Sequence, residues 1–366
     1  MAGSSYGKLF QITTWGESHG KALGVVIDGC PAGLPLCEAD IQVFLDRRKP
    51  GTTPISTPRK EADVVEILSG VFEGKTTGTP ISLLVSNTSQ ISKDYSEIAS
   101  YYRPGHADYT YDAKYGFRDY RGGGRSSGRE TIGRVAAGAI ASKLLAEMGI
   151  QITTFTRRLG DIYMEDDEFD YSLVGQTTTG IPNADLDAQA TEFILEMSQQ
   201  LDSVGGIMDC VVTGMPAGVG QPVFDKLDAD LAKAIMSIGA VKAVEIGDGI
   251  QVSAMKGSEN NDSFRNTNNQ IIKETNHAGG ILGGISDGSQ IVLRAHVKPT
   301  PSIFATQNTV NKDGENIQVQ IKGRHDPVIV PRALVVMESM VALTLVDQMM
   351  ISMSSKMSSL IDFYQK

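Results

Sequence analysis

Three arginines and four glycines crowd one short stretch, Arg121-Gly122-Gly123-Gly124-Arg125-Ser126-Ser127-Gly128-Arg129. Directly after it, Ile132, Val135, Ala136, Ala139, Ile140 and Leu144 recur at helical spacing, which predicts a buried helix from about Gly128. A helix start directs unpaired backbone N–H groups and a partial positive charge outward. Glycines let a ligand approach the backbone, and guanidinium forks add fixed charge. The stretch therefore reads as a site for an anion such as a phosphate or a carboxylate. Ser127 and Glu130 also have the spacing of a capping box, so Ser127 has an equal claim as a plain helix cap.

Histidine is the second source of chemistry. The chain has five, and four of them lie in glycine- or proline-flanked turns: His19, His106, His277 and His325. Several histidines in tight turns, alongside an arginine-rich loop, point to acid–base work on an anionic substrate. His296 sits inside the apolar run 290–297 and reads as a core residue. A metal is not expected: no His-x-x-His pair occurs, the cysteines lie elsewhere, and the single Glu274-x-x-His277 spacing adjoins a glycine turn. Ser18 and His19 are neighbours in a turn, where side chains seldom face each other, so they are not read as a nucleophile pair. No Gly-x-Gly-x-x-Gly after a strand, Walker loop or Gly-x-Ser-x-Gly elbow is present to name a reaction.

Elements must position these groups. The chain of 366 residues, 41% hydrophobic, can bury a sizeable core and by length alone spans two or three domains. Met1 to Phe10 lacks the apolar core of a secretory signal. The apolar run 328–350 carries Arg332, Glu338 and Asp347 and reads as a buried helix, so no membrane is expected. Cys30, Cys37 and Cys210 leave an odd thiol, which suits a reducing cytoplasm. A net charge of −10 argues against nucleic acid as a partner. Strands are expected at 24–28, 151–156 and 206–213, with others between 64 and 85, and helices at 38–48 and 184–201. Arg47, Arg48 and Lys49 would complement the dipole at the end of the first helix. Residues 50–60 and 87–119 read as loops, and 165–170 as a solvated acidic loop. The second half echoes the first: Pro216-Ala217-Gly218 matches Pro31-Ala32-Gly33, 228–231 matches 38–41, and each half ends in a long apolar helix, the second started by Pro331.

At a set of longer motifs the chain resembles the chorismate synthase family over nearly its whole length. They are Gly16-Glu17-Ser18-His19-Gly20, Arg48-Lys49-Pro50-Gly51, Arg103-Pro104-Gly105-His106-Ala107-Asp108, Arg125-Ser126-Ser127-Gly128-Arg129-Glu130, Val244-Glu245-Ile246-Gly247-Asp248-Gly249, Asn276-His277-Ala278-Gly279-Gly280, Lys298-Pro299-Thr300 and Gly323-Arg324-His325-Asp326-Pro327. The resemblance implies an α+β fold: a β-α-β sandwich with helices between two sheets, which suits an internal duplication of an αβ unit. It implies one interwoven domain over 1–366, a homotetramer, and a cytoplasmic lyase of the last shikimate-pathway step. That lyase eliminates phosphate in a 1,4-anti sense from 5-enolpyruvylshikimate 3-phosphate to give chorismate, using reduced FMN without net redox change. NADPH or an external flavin reductase would keep the flavin reduced. Carried onto this chain, the resemblance makes His106 the acid near the leaving phosphate, His19 the acid that protonates the reduced flavin, and Asp326 the base at flavin N5. Ser18 and Ser127 become hydroxyls bonding substrate or flavin. FMN is assigned to Arg125, Ser126, Ser127, Gly239, Ala240, Gly283, Lys298, Pro299, Thr300, Pro301, Ser302 and Arg324. NADP or a substrate anion is assigned to Arg48, with Arg129 beside it. Relatives often carry a basic residue where this chain has Pro54, and an Asn where it has Gly239; Asp326 read structurally would pair with Arg324.

Two other classes stay open at this point. A phosphate- or nucleotide-binding regulatory protein would use the Arg/Gly loop without catalysis. An RNA-binding protein would use it as an RGG-like patch, against which the acidic net charge counts.

Overall fold

The protein is described by a computed structural model at residues 3–51, 53, 55–56, 62–87, 97–321 and 326–365. In the first half come β1 (Ser5–Tyr6), β2 (Gln11–Gly16), β3 (Ala22–Asp28), α1 (Glu38–Arg48), β4 (Val65–Ser69), the hairpin β5 (Val71–Phe72) and β6 (Lys75–Thr76), β7 (Ile81–Ser86), α2 (Asp108–Tyr115) and α3 (Thr131–Glu147). In the second come β8 (Gln151–Leu159), β9 (Ile162–Tyr163), α4 (Ala184–Gln199), β10 (Gly206–Thr213), α5 (Leu227–Met236), β11 (Val241–Ile246) and α6 (Gly257–Asn260). The hairpins β12 (Phe264–Thr267)–β13 (Gln270–Lys273) and β14 (Ile281–Leu282)–β15 (Ile285–Ser286) lead to β16 (Ile291–Val297). The chain closes with the hairpin β17 (Gln307–Val310)–β18 (Asn316–Val319), then α7 (Val330–Ser352) and α8 (Met357–Tyr364).

Two antiparallel five-stranded sheets result, ordered β1-β2-β3-β7-β4 and β11-β16-β10-β8-β9. Period-2 alternation turns one face of each inward. Val25 pairs with Leu83 and Ile27 with Ile81 in the first sheet, Cys210 with Leu293 and Met208 with Ala295 in the second, all buried. The helices lie between: α3 packs on β2, β3, β7 and α7, and α7 packs on β8 and β10. This is the expected α+β arrangement.

Enclosure on both sides explains why α3 exceeds its expected apolar stripe. Gly133, Ala137, Gly138, Ala141 and Leu145 are buried along with Ile132, Val135, Ala136, Ala139 and Ile140. At Gly138 an added Cβ would stand 2.2 Å from Cβ of Ser339 on α7, so the helices cross with almost no side chain between them. α7 is long and apolar enough to cross a membrane, yet 78% of its apolar window is buried in the protein, and Glu338 and Asp347 bond inside it.

The duplication is visible in bonds as well as in strand order. The β4-β7-β3-β2 series matches β11-β16-β10-β8. In the first half the Thr76 hydroxyl donates to Pro31 O at 2.6 Å and accepts from Leu34 N at 3.0 Å; in the second the Ser286 hydroxyl donates to Pro216 O at 2.6 Å and accepts from Val219 N at 3.0 Å. Two expectations need correction. His296 is not a core residue: β16 alternates, and its side chain leaves the outer face to meet Glu245 at 2.6 Å. The region 87–119 is not all loop, since α2 forms there. The acidic stretch 165–170 is a solvated loop as expected, with a short 3-10 turn whose exposed Asp166 reaches Arg157.

Candidate active site

The buried-helix start lies a turn later than its glycines suggest. A 3-10 turn spans Gly128–Glu130, and the Ser127 hydroxyl accepts from Arg129 N at 3.3 Å. Ser127 is thus a cap, but without the reciprocal half of a capping box: Glu130 instead pairs with Arg134 at 3.0 Å. Arg134 also reaches Ser237 Oγ at 2.6 Å, tying the α3 start to the segment that holds Gly239 and Ala240.

The three arginines of the glycine-rich stretch part company. Arg121 turns back to Asp119 at 2.6 Å on the surface. Arg125 points at β2, donating to Gly16 O at 3.0 Å and to the Thr14 hydroxyl at 2.6 Å. Only Arg129 turns towards another cation of the expected site. It lies 3.0 Å from Asp63, which Arg48 meets at 2.5 Å on its other oxygen. All three side chains are buried. Burial alone would raise the Asp63 carboxyl, but the Arg48 and Arg129 guanidiniums outweigh it and hold the group below the usual carboxylate range.

From this triad, bonds run in both directions. Arg129 Nε donates to Asn87 Oδ1 at 2.6 Å, and Asn87 Nδ2 donates to Glu17 O and Gly20 O at 3.1 and 2.8 Å, bracing the turn that carries Ser18 and His19. On the other side Arg332, in the first turn of α7, donates to Arg48 O at 2.9 Å and pairs with Asp326. Asp326 therefore has an ion-pair partner the sequence did not suggest. Arg324, the partner expected on a structural reading, lies outside the described residues, as do His325 and Pro54.

Both histidines are held by bonds. Ser18 Oγ stands 3.0 Å from His19 Nδ1, so the two neighbours do face each other, contrary to expectation. The reason is a sharp turn with Gly122 packed on it: φ at Gly122 is +95°, and a Cβ there would lie 2.6 Å from the imidazole. His106 Nδ1 lies 2.9 Å from Pro104 O and its Nε2 2.7 Å from Ser302 Oγ. Its turn is fixed by Arg103, which donates from Nε and Nη2 to the two oxygens of Asp108, each at 2.8 Å.

The 298–302 loop meets this turn from the second half. Lys298 Nζ donates to Gly105 O at 2.9 Å, its backbone N to Ala240 O at 3.0 Å, and Ser203 Oγ to Thr300 O at 2.7 Å. Partial burial, reinforced by the neighbouring Lys242 charge, lowers the Lys298 amine below the ordinary lysine value; an approaching anion would relieve that. Gly124, Gly128 and Gly239 each have no atom within 4 Å of where a Cβ would stand. Open backbone at these glycines would let a ligand approach the main chain closely.

Gly283 is the exception. It sits in the β14–β15 hairpin, next to Gly284, which packs against Gln221 and Lys226, at the opposite end of β16 from Lys298, roughly 20 Å away along a seven-residue strand. Residues that sequence reasoning missed are Asp63, Asn87 and Arg332. Each is a lone polar residue outside the motifs it serves, and nothing in the local pattern marks it.

The chain is similar to known proteins over its whole length. The chorismate synthase family model matches residues 10–350. Chorismate synthase of Agathobacter rectalis is 61% identical over 366 residues, covering 100% of both chains. That of Lachnoclostridium phytofermentans is 62% identical over 367 residues, again covering 100% of each. A solved crystal structure of a chorismate synthase superposes with a TM-score of 0.76 at 30% identity, covering 98% of this chain and 97% of that one.

Proposed function

This chain belongs to the chorismate synthase family, lyases that form chorismate in the last step of the shikimate pathway, and from that premise we propose that the residues gathered at the α3 and α7 N-termini are its active site and reduced FMN its cofactor. One observation carries the reading: an unbroken series of bonds runs from the Ser18–His19 turn through Asn87, Arg129, Asp63, Arg48 and Arg332 to Asp326.

Within that frame each group has work suited to its setting. Arg48 and Arg129, beside the α3 start, take the phosphate of 5-enolpyruvylshikimate 3-phosphate, whose charge grows as the C3–O bond breaks. His106, oriented by Pro104 O and Ser302, is the acid near the leaving group. His19, oriented by Ser18, is the second acid, and Asp326, held by Arg332, is the base. Ser127 caps the turn that presents Arg129. The cofactor is held by the backbone of 125–127, by Gly239 and Ala240, and by the loop from Lys298 through Pro299, Thr300 and Pro301 to Ser302. Reduced FMN, when bound, supplies electron density that assists departure of the phosphate without net oxidation.

Motifs from residue 18 to residue 326 meet in this one site, which supports a single interwoven unit over 1–366. Gly283 cannot reach the same pocket within one chain, which supports a homotetramer in which Gly283 of one copy serves another. A cytoplasmic location, with NADPH or a separate flavin reductase as the source of electrons, completes the proposal.

Asp326→Asn tests it. The variant keeps volume while removing the base, so FMN affinity is expected to stay near wild type while single-turnover phosphate release becomes very slow, with some loss of melting temperature from the broken Arg332 pair. A destabilised variant with intact turnover would make Asp326 a structural partner of Arg332 only.

A further inference from the structure

Both arginines proposed to bind substrate converge on Asp63. Its oxygens lie 2.5 Å from Arg48 Nη2 and 3.0 Å from Arg129 Nη1, and its side chain is fully enclosed. Its φ is +46°, a left-handed backbone that Asp and Asn tolerate better than most residues. Two guanidiniums brought this close repel each other, and burial strengthens the repulsion. One carboxylate between them allows both to be fixed on the same side of the α3 start. Asn87 and the carbonyl of Gly128, 3.5 Å from Arg48 Nη1, complete the frame.

We propose that Asp63 is a positioning residue: it sets Arg48 and Arg129 as one preformed clamp for the substrate phosphate, at the expense of some of the field they would otherwise exert. The proposal rests on the reading that these arginines bind the substrate anion. It differs in sign from simple electrostatics. If only charge mattered, removing a carboxylate beside an anion site would tighten binding of the phosphate. If geometry matters, removal loosens it, because misplacement by about 1 Å can cost on the order of 10²-fold.

Asp63→Asn is the decisive variant, since Asn keeps the shape and tolerates the left-handed backbone. The readouts are the calorimetric Kd of 5-enolpyruvylshikimate 3-phosphate on FMN-loaded enzyme, the KM and kcat, and the melting temperature. The expected result is a Kd and KM raised by roughly 10–100-fold with kcat changed far less, and no further rise when Arg129→Ala is added, because the two act as one unit. A Kd unchanged or lowered overturns the proposal. If Asp63→Asn does not fold, Asp63→Glu decides: it keeps the charge but moves the carboxylate by one methylene, and a wild-type Kd in that variant overturns the proposal equally. Arg129→Ala alone separates the two levels. If it leaves the Kd untouched, the phosphate-binding reading fails; if it raises the Kd while Asp63→Asn does not, only the role of Asp63 fails.

Discussion

His106 meets Ser302 across the junction of the two halves, with Nε2 2.7 Å from Oγ. The other ring nitrogen is engaged by Pro104 O, so the imidazole plane is set by one contact from its own turn and one from the partner half. This is a device for holding an acid–base group still. His106→Ala is expected to lower turnover by roughly 10²–10⁴-fold with FMN binding retained. Ser302→Ala removes one orienting bond and should cost about tenfold or less. Full activity of His106→Ala at neutral pH would take His106 out of the mechanism.

Arg125 is bound to β2 by its guanidinium, not directed at an anion. Arg125→Ala is therefore expected to lower stability by about 1–3 kcal/mol through lost bonds to Gly16 and Thr14, and to loosen the flavin segment that follows it. Arg125→Lys should recover only part, since an ammonium cannot span both acceptors. Thermal melts and FMN titrations on both variants check this; a lysine variant indistinguishable from wild type would mean that the fork is unimportant.

The fold was far more legible than the site. The 38–48 helix and the 206–213 strand follow from periodicity and come out at their expected bounds, and the repeated Pro-Ala-Gly turn announced a duplication that the strand order bears out. His19, His106 and Arg129 stand out by type and by flanking glycines. Asp63, Asn87 and Arg332 do not, because their meaning comes from what they join in space: Asp63 brings Arg48 to Arg129, and Arg332 brings the backbone of Arg48 to Asp326. His296 misleads for the converse reason: its apolar neighbours suggest a core position, whereas a strand of an antiparallel sheet covered on one face alternates.

Acid should weaken the site before it weakens the sandwich core. Burial raises the carboxyls of Asp63 and Asp108, but their arginine partners outweigh it and hold both below the usual range. A depressed folded-state value stabilises the protein above the unfolded value, near pH 4, and that stabilisation is lost as pH falls through the folded value. Stability is therefore expected to be flat near neutrality and to decline below about pH 4, less steeply in Asp63→Asn. Denaturant melts from pH 7 downward test this, and an identical acid profile in the Asn variant would contradict it.

The α3–α7 crossing at Gly138 and Ser339 leaves no room for a methyl group. Gly138→Ala is expected to destabilise by about 1–3 kcal/mol by overpacking, and Ser339→Gly to restore part of that in the double variant. Because both helices present their N-termini to the site, Gly138→Ala should also raise KM for the phosphate ester. A stable variant with unchanged KM would mean that the crossing does not set the spacing of Arg129 and Arg332.

The most direct test of the whole reading is phosphate release from 5-enolpyruvylshikimate 3-phosphate by the purified protein under anaerobic conditions, with FMN and dithionite each present or absent. The expected result is one phosphate released per chorismate formed, only when both are present, and with no net consumption of reductant. Release that needs no flavin, or release with oxidised FMN alone, would contradict the assignment of reduced FMN. No release in the complete mixture by a folded, FMN-bound protein would contradict the assigned reaction itself.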